Sequence, residues 1–175
     1  LARRARPVAL RPPEPPAGEP FGNSCRIVEG DSMKAGPWQD IAAKCDAVVN
    51  LAGENLFNHR WNDQFKALLT DSRLQTTAHI VEALGRKPRR EDGSAKVLVN
   101  ASAVGIYGPH GDEELTEDSP PASDFLAHLC MEWEQAARAV AAFGVRCPLT
   151  RIGGVPHNQG RAPPPPGRPF HQGRG

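Results

Sequence analysis

The chain has 175 residues, room for one domain with a real core and marginal for two. Charged residues are 23% and the formal net charge is +1, so no global field exists to hold nucleic acid or an anionic membrane. No apolar run approaches the roughly 18 residues of a membrane-spanning helix, and the four cysteines lack zinc-like spacing, which reads as reduced thiols of an intracellular protein.

Taken in order, the chain opens with an Arg-rich stretch, Leu1 to Arg11, whose composition is also that of a transit peptide. A Pro-rich segment follows. Residues 7–24 are expected to be poorly ordered in part, and the Pro-, Gly- and Arg-rich tail 156–175 to be disordered. Between them the composition is globular. Cys25 to Val28 is a short apolar-leaning run ending at Gly30 and Asp31. Trp38 to Lys44 suits a short helix. Asp46 to Leu51, DAVVNL, has the pattern of a buried parallel strand closed by Ala52 and Gly53.

A long helical stretch comes next. Trp61, Phe65, Leu68 and Leu69, then Leu74, Thr77, Ile80, Val81 and Leu84, recur at the spacing of one helix face, and Gly85 and Pro88 are expected to stop it. Lys96 to Asn100, KVLVN, reads as another buried strand running into Ala101 to Gly108. Asp112 to Ser123 is an acidic, Pro-bearing loop. Phe125 to Phe143 is an amphipathic helix with Leu126, Leu129, Trp133, Ala137 and Val140 inward, ended by Gly144. Val145 to Val155 reads as a further strand.

Strands alternating with helices long enough for crossovers mean a parallel sheet covered on both faces. Ligands gather at the carboxyl ends of such strands. Position alone therefore nominates Asn50 to Glu54 and Asn100 to Gly108 as site-forming.

Those segments carry a family likeness. Gly30 and Asp31, then DAVVNLAGE at Asp46 to Glu54, resemble the third and fourth strands of an extended short-chain dehydrogenase/reductase. LAGE followed by Arg60-Trp61, Ser72-Arg73 and Thr76-Thr77 resembles the atypical epimerase subfamily known as sugar-nucleotide epimerase or cell-division-inhibitor-like. SAVGIYG at Ser102 to Gly108, LTED at Leu115 to Asp118, and DFLAHLCMEWEQAA at Asp124 to Ala137 match the same subfamily. The likeness runs from about Gly30 to Val155. It implies an α/β fold, a partial Rossmann-like doubly wound parallel sheet with helices on both faces. LARRARPVALRPP resembles the close of the first helix and the second strand, so Val8 to Leu10 is expected as strand two. On that correspondence the first strand and its Gly-rich phosphate turn precede Leu1 and are missing. Residues 1–155 are then a partial NAD(P)-binding domain.

The resemblance also implies chemistry. The parent superfamily transfers hydride with a Tyr acid/base, a Lys four residues later and an orienting Ser or Thr. Anchored on Tyr107 and Gly108, the orienting hydroxyl falls on Ala103, with Ser102 one residue earlier. Anchored on Glu134, the Tyr and Lys positions fall on Leu126 and Cys130, neither of which can replace its counterpart; a register shifted by two places His128 and Glu132 there instead. Ser102 and His128 are thus the catalytic candidates, with backbone capping and helix exposure as their ordinary readings. For the cofactor, NAD(P) with NADP favoured, the candidates are Asp31, Leu51, Ala52, Gly53, Ser102 and Arg11. Asp31 would reach the adenine amino group, or else cap a turn. Ala52 and Gly53 would let cofactor approach the backbone. Arg11 would meet a 2′-phosphate, or else belong to a basic linker.

The first functional reading is an NAD(P)-binding epimerase- or reductase-like protein acting on an unidentified substrate of nucleotide-sugar class without the usual Tyr–Lys pair. The alternatives are a noncatalytic Rossmann-shell scaffold, including a division-associated interaction protein, and a gene fragment without function. The expected partners are a dinucleotide and a small molecule, with no nucleic acid and no membrane span. The expected location is intracellular, in cytoplasm or an organelle, with a plastid implied by the resemblance.

Overall fold

The computed structural model describes residues 7–12 and 25–153. Most of the Pro-rich 7–24 segment and all of the 156–175 tail lie outside the described residues. Strands β1 (Val8–Arg11) and β2 (Arg26–Glu29) pair in parallel, in register from Val8 with Arg26 to Arg11 with Glu29. Strands β3 (Ala47–Asn50), β4 (Val97–Ala103) and β5 (Leu149–Ile152) form a second parallel sheet in that order. The two sheets share no ladder among the described residues. The break falls where the family resemblance places the first strand.

Helices make the crossovers: α1 (Trp38–Ala42) from β2 to β3, α2 (Asp63–Arg86) from β3 to β4, and α3 (Phe125–Arg138) from β4 to β5. Asn62 caps α2 by accepting from the Phe65 amide at 2.8 Å, and Asp124 caps α3 by accepting from the Ala127 amide at 2.9 Å. The 3₁₀ turn Ala139–Phe143 continues α3 to Gly144.

One core unites the two sheets. Trp38, Ile80, Leu84, Leu98, Ala137, Val140 and Val145 are buried together, and Val28 of β2 and Val48 of β3 both pack against them. Burying a side chain such as Leu84 or Leu98 is worth about 1.5–3 kcal/mol. Val48, Asn50, Leu98, Ser102 and Arg151 all point to this helix side, because alternate strand residues share a face. The opposite face is uncovered by the described helices: Val49 is 61% exposed and Ile152 47%.

Several boundaries differ from the expectations. Leu68, placed on the inner face of α2, is exposed, and Leu69 beside it is wholly buried. Gly85 does not end α2; the helix runs on to Arg86. The glycine is there because the Phe143 ring sits 2.8 Å from where its Cβ would be. The last strand is shorter than Val145 to Val155, since Pro148 has no N–H to give a ladder and β5 begins after it.

Candidate functional site

The strands are parallel and Asn50 lies beside Asn100, so the segments that leave β3 and β4 emerge at one end of the sheet. Beneath that end is a buried polar network. The Asn50 side-chain amide donates to Asn100 Oδ1 at 2.7 Å and to Thr77 Oγ1 at 3.0 Å, and the Trp133 indole donates to the same Thr77 oxygen at 3.0 Å. Buried amides must be satisfied, and here they satisfy one another while joining β3, β4, α2 and α3. Asn50 Oδ1 also accepts from the Ala52 amide at 3.2 Å.

The turn after β3 is held from below. Ser72 Oγ accepts from the Glu54 amide at 3.0 Å, and Arg73 donates to the Glu54 carbonyl at 3.1 Å. Arg73 also donates to the Leu69 carbonyl and lies over the Trp133 ring. A Cβ on Gly53 would meet the Arg73 guanidinium carbon at 2.9 Å. A side chain here would press on Arg73, which is one reason for glycine at this turn. The Gly53 amide itself makes no hydrogen bond among the described residues, while Ala52 and Glu54 on either side are committed. Leu51 is 67% exposed at the strand end.

The turn after β2 rests on the same helix. Ser32 Oγ is 3.0 Å from Thr76 Oγ1, and the Ser32 carbonyl is 3.1 Å from His79 Nδ1. Asp31 Oδ1 accepts from the Met33 amide at 2.9 Å, and its other oxygen is 3.3 Å from Lys34 Nζ. Asp31 thus caps its turn, and it also lines a cavity of about 280 Å³ with Glu29, Gly30, Lys34 and Trp38. Arg11, at the end of β1, donates to Glu29 at 2.9 Å, and its buried Nε has no partner among the described residues. Arg11, Asp31, Leu51, Ala52 and Gly53 all lie at strand ends.

Ser102 is 3% exposed, on the helix side of β4. Its hydroxyl donates to Glu134 Oε1 of α3 at 2.7 Å. Arg151 of β5 grips the same carboxylate through Nε at 2.8 Å and Nη2 at 3.0 Å, and Arg138 adds a bond at 2.9 Å. Burial alone would raise the Glu134 carboxyl; the bonds from Arg151 and Ser102 outweigh it and hold the group below the usual carboxylate range. Arg151 also donates to the Tyr107 hydroxyl at 2.7 Å and lies over that ring. Tyr107 is buried as an acceptor for this arginine.

Helix α3 puts the residues of the two candidate registers on different faces. Cys130 is buried against Ser102 and the Ala103 backbone, with burial pushing its thiol up, and Leu126 Cβ is 3.8 Å from where a Gly105 Cβ would be. Leu126 and Cys130 therefore face the end of β4. His128 and Glu132 lie on the exposed side of α3, so the structure does not bring His128 to Ser102. Helical geometry explains this correction: residues two apart lie on nearly opposite sides.

Sequence reasoning missed Arg151, Glu134 as its partner, and Lys96, which is buried and donates to the Ala43 carbonyl. An arginine inside a strand that otherwise reads as buried was the available signal, since a buried charge needs a partner. Among the described residues no group of His, Cys, Asp and Glu could hold a metal, and no helix is long and apolar enough to cross a membrane.

Over residues 2–155 the chain matches the family described as the NAD dependent epimerase/dehydratase family. It is 41% identical over 110 residues to epimerase family protein Mb2239 of Mycobacterium bovis, covering 63% of this chain and 35% of that protein. It is 37% identical over 125 residues to the chloroplastic epimerase family protein SDR39U1 homolog of Arabidopsis thaliana, covering 71% of this chain and 35% of that protein. Among solved structures, the human epimerase family protein SDR39U1 (isoform 2) with NADPH is similar at a TM-score of 0.55 and 34% identity, over 73% of this chain and 45% of that one. The match thus spans 35% of the length of either curated relative. The parallel sheets and their crossovers are Rossmann-like, as in these structural neighbours.

Proposed function

The chain belongs to the NAD-dependent epimerase/dehydratase family, and from that premise we propose that it binds a nicotinamide dinucleotide across the carboxyl ends of β2 and β3. The human relative solved with NADPH supports the reading. So does the donor set. Among the described residues Arg11 carries a buried Nε without a partner, the Gly53 amide is uncommitted between two committed neighbours, and Asp31 and Glu29 line one cavity. Asp31 would accept from the adenine amino group, the Gly53 amide would face phosphate or ribose, and Arg11 would favour NADP by meeting a 2′-phosphate.

When bound, the dinucleotide supplies hydride chemistry. The chain's own residues supply little acid/base chemistry. Leu126 has no proton to exchange, and Cys130 is buried with its thiol pushed up. The proton of Ser102 is spent on Glu134, so Ser102 can only accept from a ligand. We therefore read the protein as epimerase- or reductase-like on a substrate of nucleotide-sugar class, without ordinary alcohol dehydrogenase turnover.

The committed Ser102 hydroxyl favours a second reading, a noncatalytic shell that binds dinucleotide or protein. Two measurements separate them. NADPH and NADH are titrated against the fluorescence of Trp38, which lines the cavity, and nicotinamide absorbance is followed across alcohols and nucleotide sugars. Quenching with no turnover of simple alcohols is expected. Turnover of a nucleotide sugar, reduced by Ser102→Ala, marks the enzyme. Binding without any turnover marks the shell. Absence of binding by either dinucleotide overturns the cofactor reading.

A further inference from the structure

We infer that Glu29 sets the choice between phosphorylated and unphosphorylated ribose, by competing with a 2′-phosphate for Arg11; the inference rests on the dinucleotide reading above. Arg11 and Glu29 are register partners and the last residues of β1 and β2. Their ion pair, at 2.9 Å, closes the two strand ends over the side of the sheet away from Trp38. The Gly30 amide donates to the Arg11 carbonyl at 2.9 Å, so the backbones hold this juxtaposition without help from the side chains.

The pair is open to a ligand. The Glu29 side chain is 56% exposed and that of Arg11 31%, and Glu29 lines the cavity with Gly30 and Asp31. Arg11 is incompletely satisfied among the described residues, since its buried Nε has no partner there. A phosphate is a stronger, multidentate acceptor than a single carboxylate oxygen, and a guanidinium fits it with two parallel bonds. Yet a phosphate arriving here meets a carboxylate already on the arginine. Lys34, which lines the neighbouring cavity, is likewise matched by Asp31 at 3.3 Å. A dianion arriving at Arg11 therefore meets a neutral pair, and Glu29 repels it at short range. A ribose hydroxyl meets no such penalty, because it can donate to Glu29 and leave the ion pair intact. Arg11 read alone points to NADP; Arg11 with Glu29 makes that preference conditional on moving one carboxylate.

The test is the dissociation constant of NADPH and of NADH, measured on the full chain by the change in the reduced dinucleotide's own fluorescence. The variants are Glu29→Gln, Arg11→Gln and the double variant. Glu29→Gln keeps a side chain of the same size on a half-exposed strand end and is expected to fold as the parent does. It is expected to tighten NADPH about fivefold while leaving NADH within about twofold, the scale of a partly exposed ion pair. The gain should vanish in the double variant, because it runs through Arg11. An unchanged NADPH-to-NADH ratio in Glu29→Gln overturns the proposal alone. A gain that survives without Arg11 also overturns it, since repulsion by Glu29 would then act independently of the arginine. Failure of both dinucleotides to bind any variant overturns the parent reading and this proposal with it.

Discussion

Ser102 and Glu134 are joined by a 2.7 Å hydrogen bond in which the buried hydroxyl donates to a carboxylate only 1% exposed. That bond turns the candidate hydroxyl inward and makes it part of a clamp between β4, α3 and β5. Arg151 is the clamp's central cation, with bonds to Glu134, Tyr107 and the Glu117 carbonyl. Arg151→Met leaves Glu134 buried with its main partner gone. We expect a loss of about 3 kcal/mol, the scale for breaking a buried pair from one side. The double variant Arg151→Met/Glu134→Leu should recover part of it, because no uncompensated charge remains. Urea denaturation of the three proteins measures both effects. A loss within about 0.5 kcal/mol for Arg151→Met would show the clamp to be no more than a surface pair.

The same carboxylate gives a pH dependence with a definite sign. Glu134 is held below the usual carboxylate range in the folded protein, with burial opposing and Arg151 and Ser102 prevailing. A lowered acid contributes stability that is fully present above its unfolded value, about pH 4.3, and is lost as pH falls through the folded value. The stability advantage of the parent over Glu134→Gln should therefore be level from neutral pH down to about 5 and shrink below about 4. Thermal melts across that range read it directly. A constant difference down to the most acid pH would mean that Glu134 is not ionised in the fold.

How much of this was legible in the sequence depends on the range of the signal. The strand DAVVN and the helix through Phe65, Leu69, Ile80 and Leu84 are local patterns, and they stand as β3 and α2. That Leu126 and Cys130 share one face of α3, apart from His128 and Glu132, was also legible, because spacing along one helix carries that information. Gly53 was not. The contact that a side chain there would make with Arg73 is not written in a glycine motif, which does not say which neighbour fills the missing side chain's place. Nor was the fate of Ser102, which depends on Glu134 and Arg151 arriving from two other elements. The uncovered face was not legible, since Val49 reads as buried in a parallel-strand pattern and is exposed where no described helix reaches it.

Gly53→Ala tests the first of those hidden reasons. A methyl group there would lie 2.9 Å from the guanidinium carbon of Arg73 and 3.2 Å from its Cγ. The arginine cannot swing clear cheaply, because its stem is involved as well as its tip. It would lose its bonds to Leu69 and Glu54 and its place over Trp133. We expect a destabilisation of about 1–3 kcal/mol. A shift in Trp133 emission should accompany it, assigned by a Trp133→Phe control. The companion Gly53→Ala/Arg73→Ala should relieve the clash, so its cost should fall below the sum of the single changes. Strict additivity would place the strain elsewhere.

The last prediction concerns the break between the two sheets. One edge of β3 pairs with β4, and the other pairs with no described strand. An unpaired edge presents a row of N–H and C=O groups, and proteins guard such edges with charge, proline or cover. Here the edge strand reads AVVN and carries none of these. Its outward Val49 is 61% exposed, with Leu51 at 67% just beyond. An apolar, uncharged edge is the template on which a second chain adds. We expect the 175-residue chain to self-associate with rising concentration, seen as a shift in sedimentation. Val49→Lys should suppress it, because a lysine on the edge strand costs little in the monomer but must be desolvated in a strand-paired contact. Leu68→Lys, at an equally apolar but helical surface position of α2, should not. If both substitutions suppress association equally, general apolar exposure is the cause. If neither does, the free edge of β3 is not where copies meet.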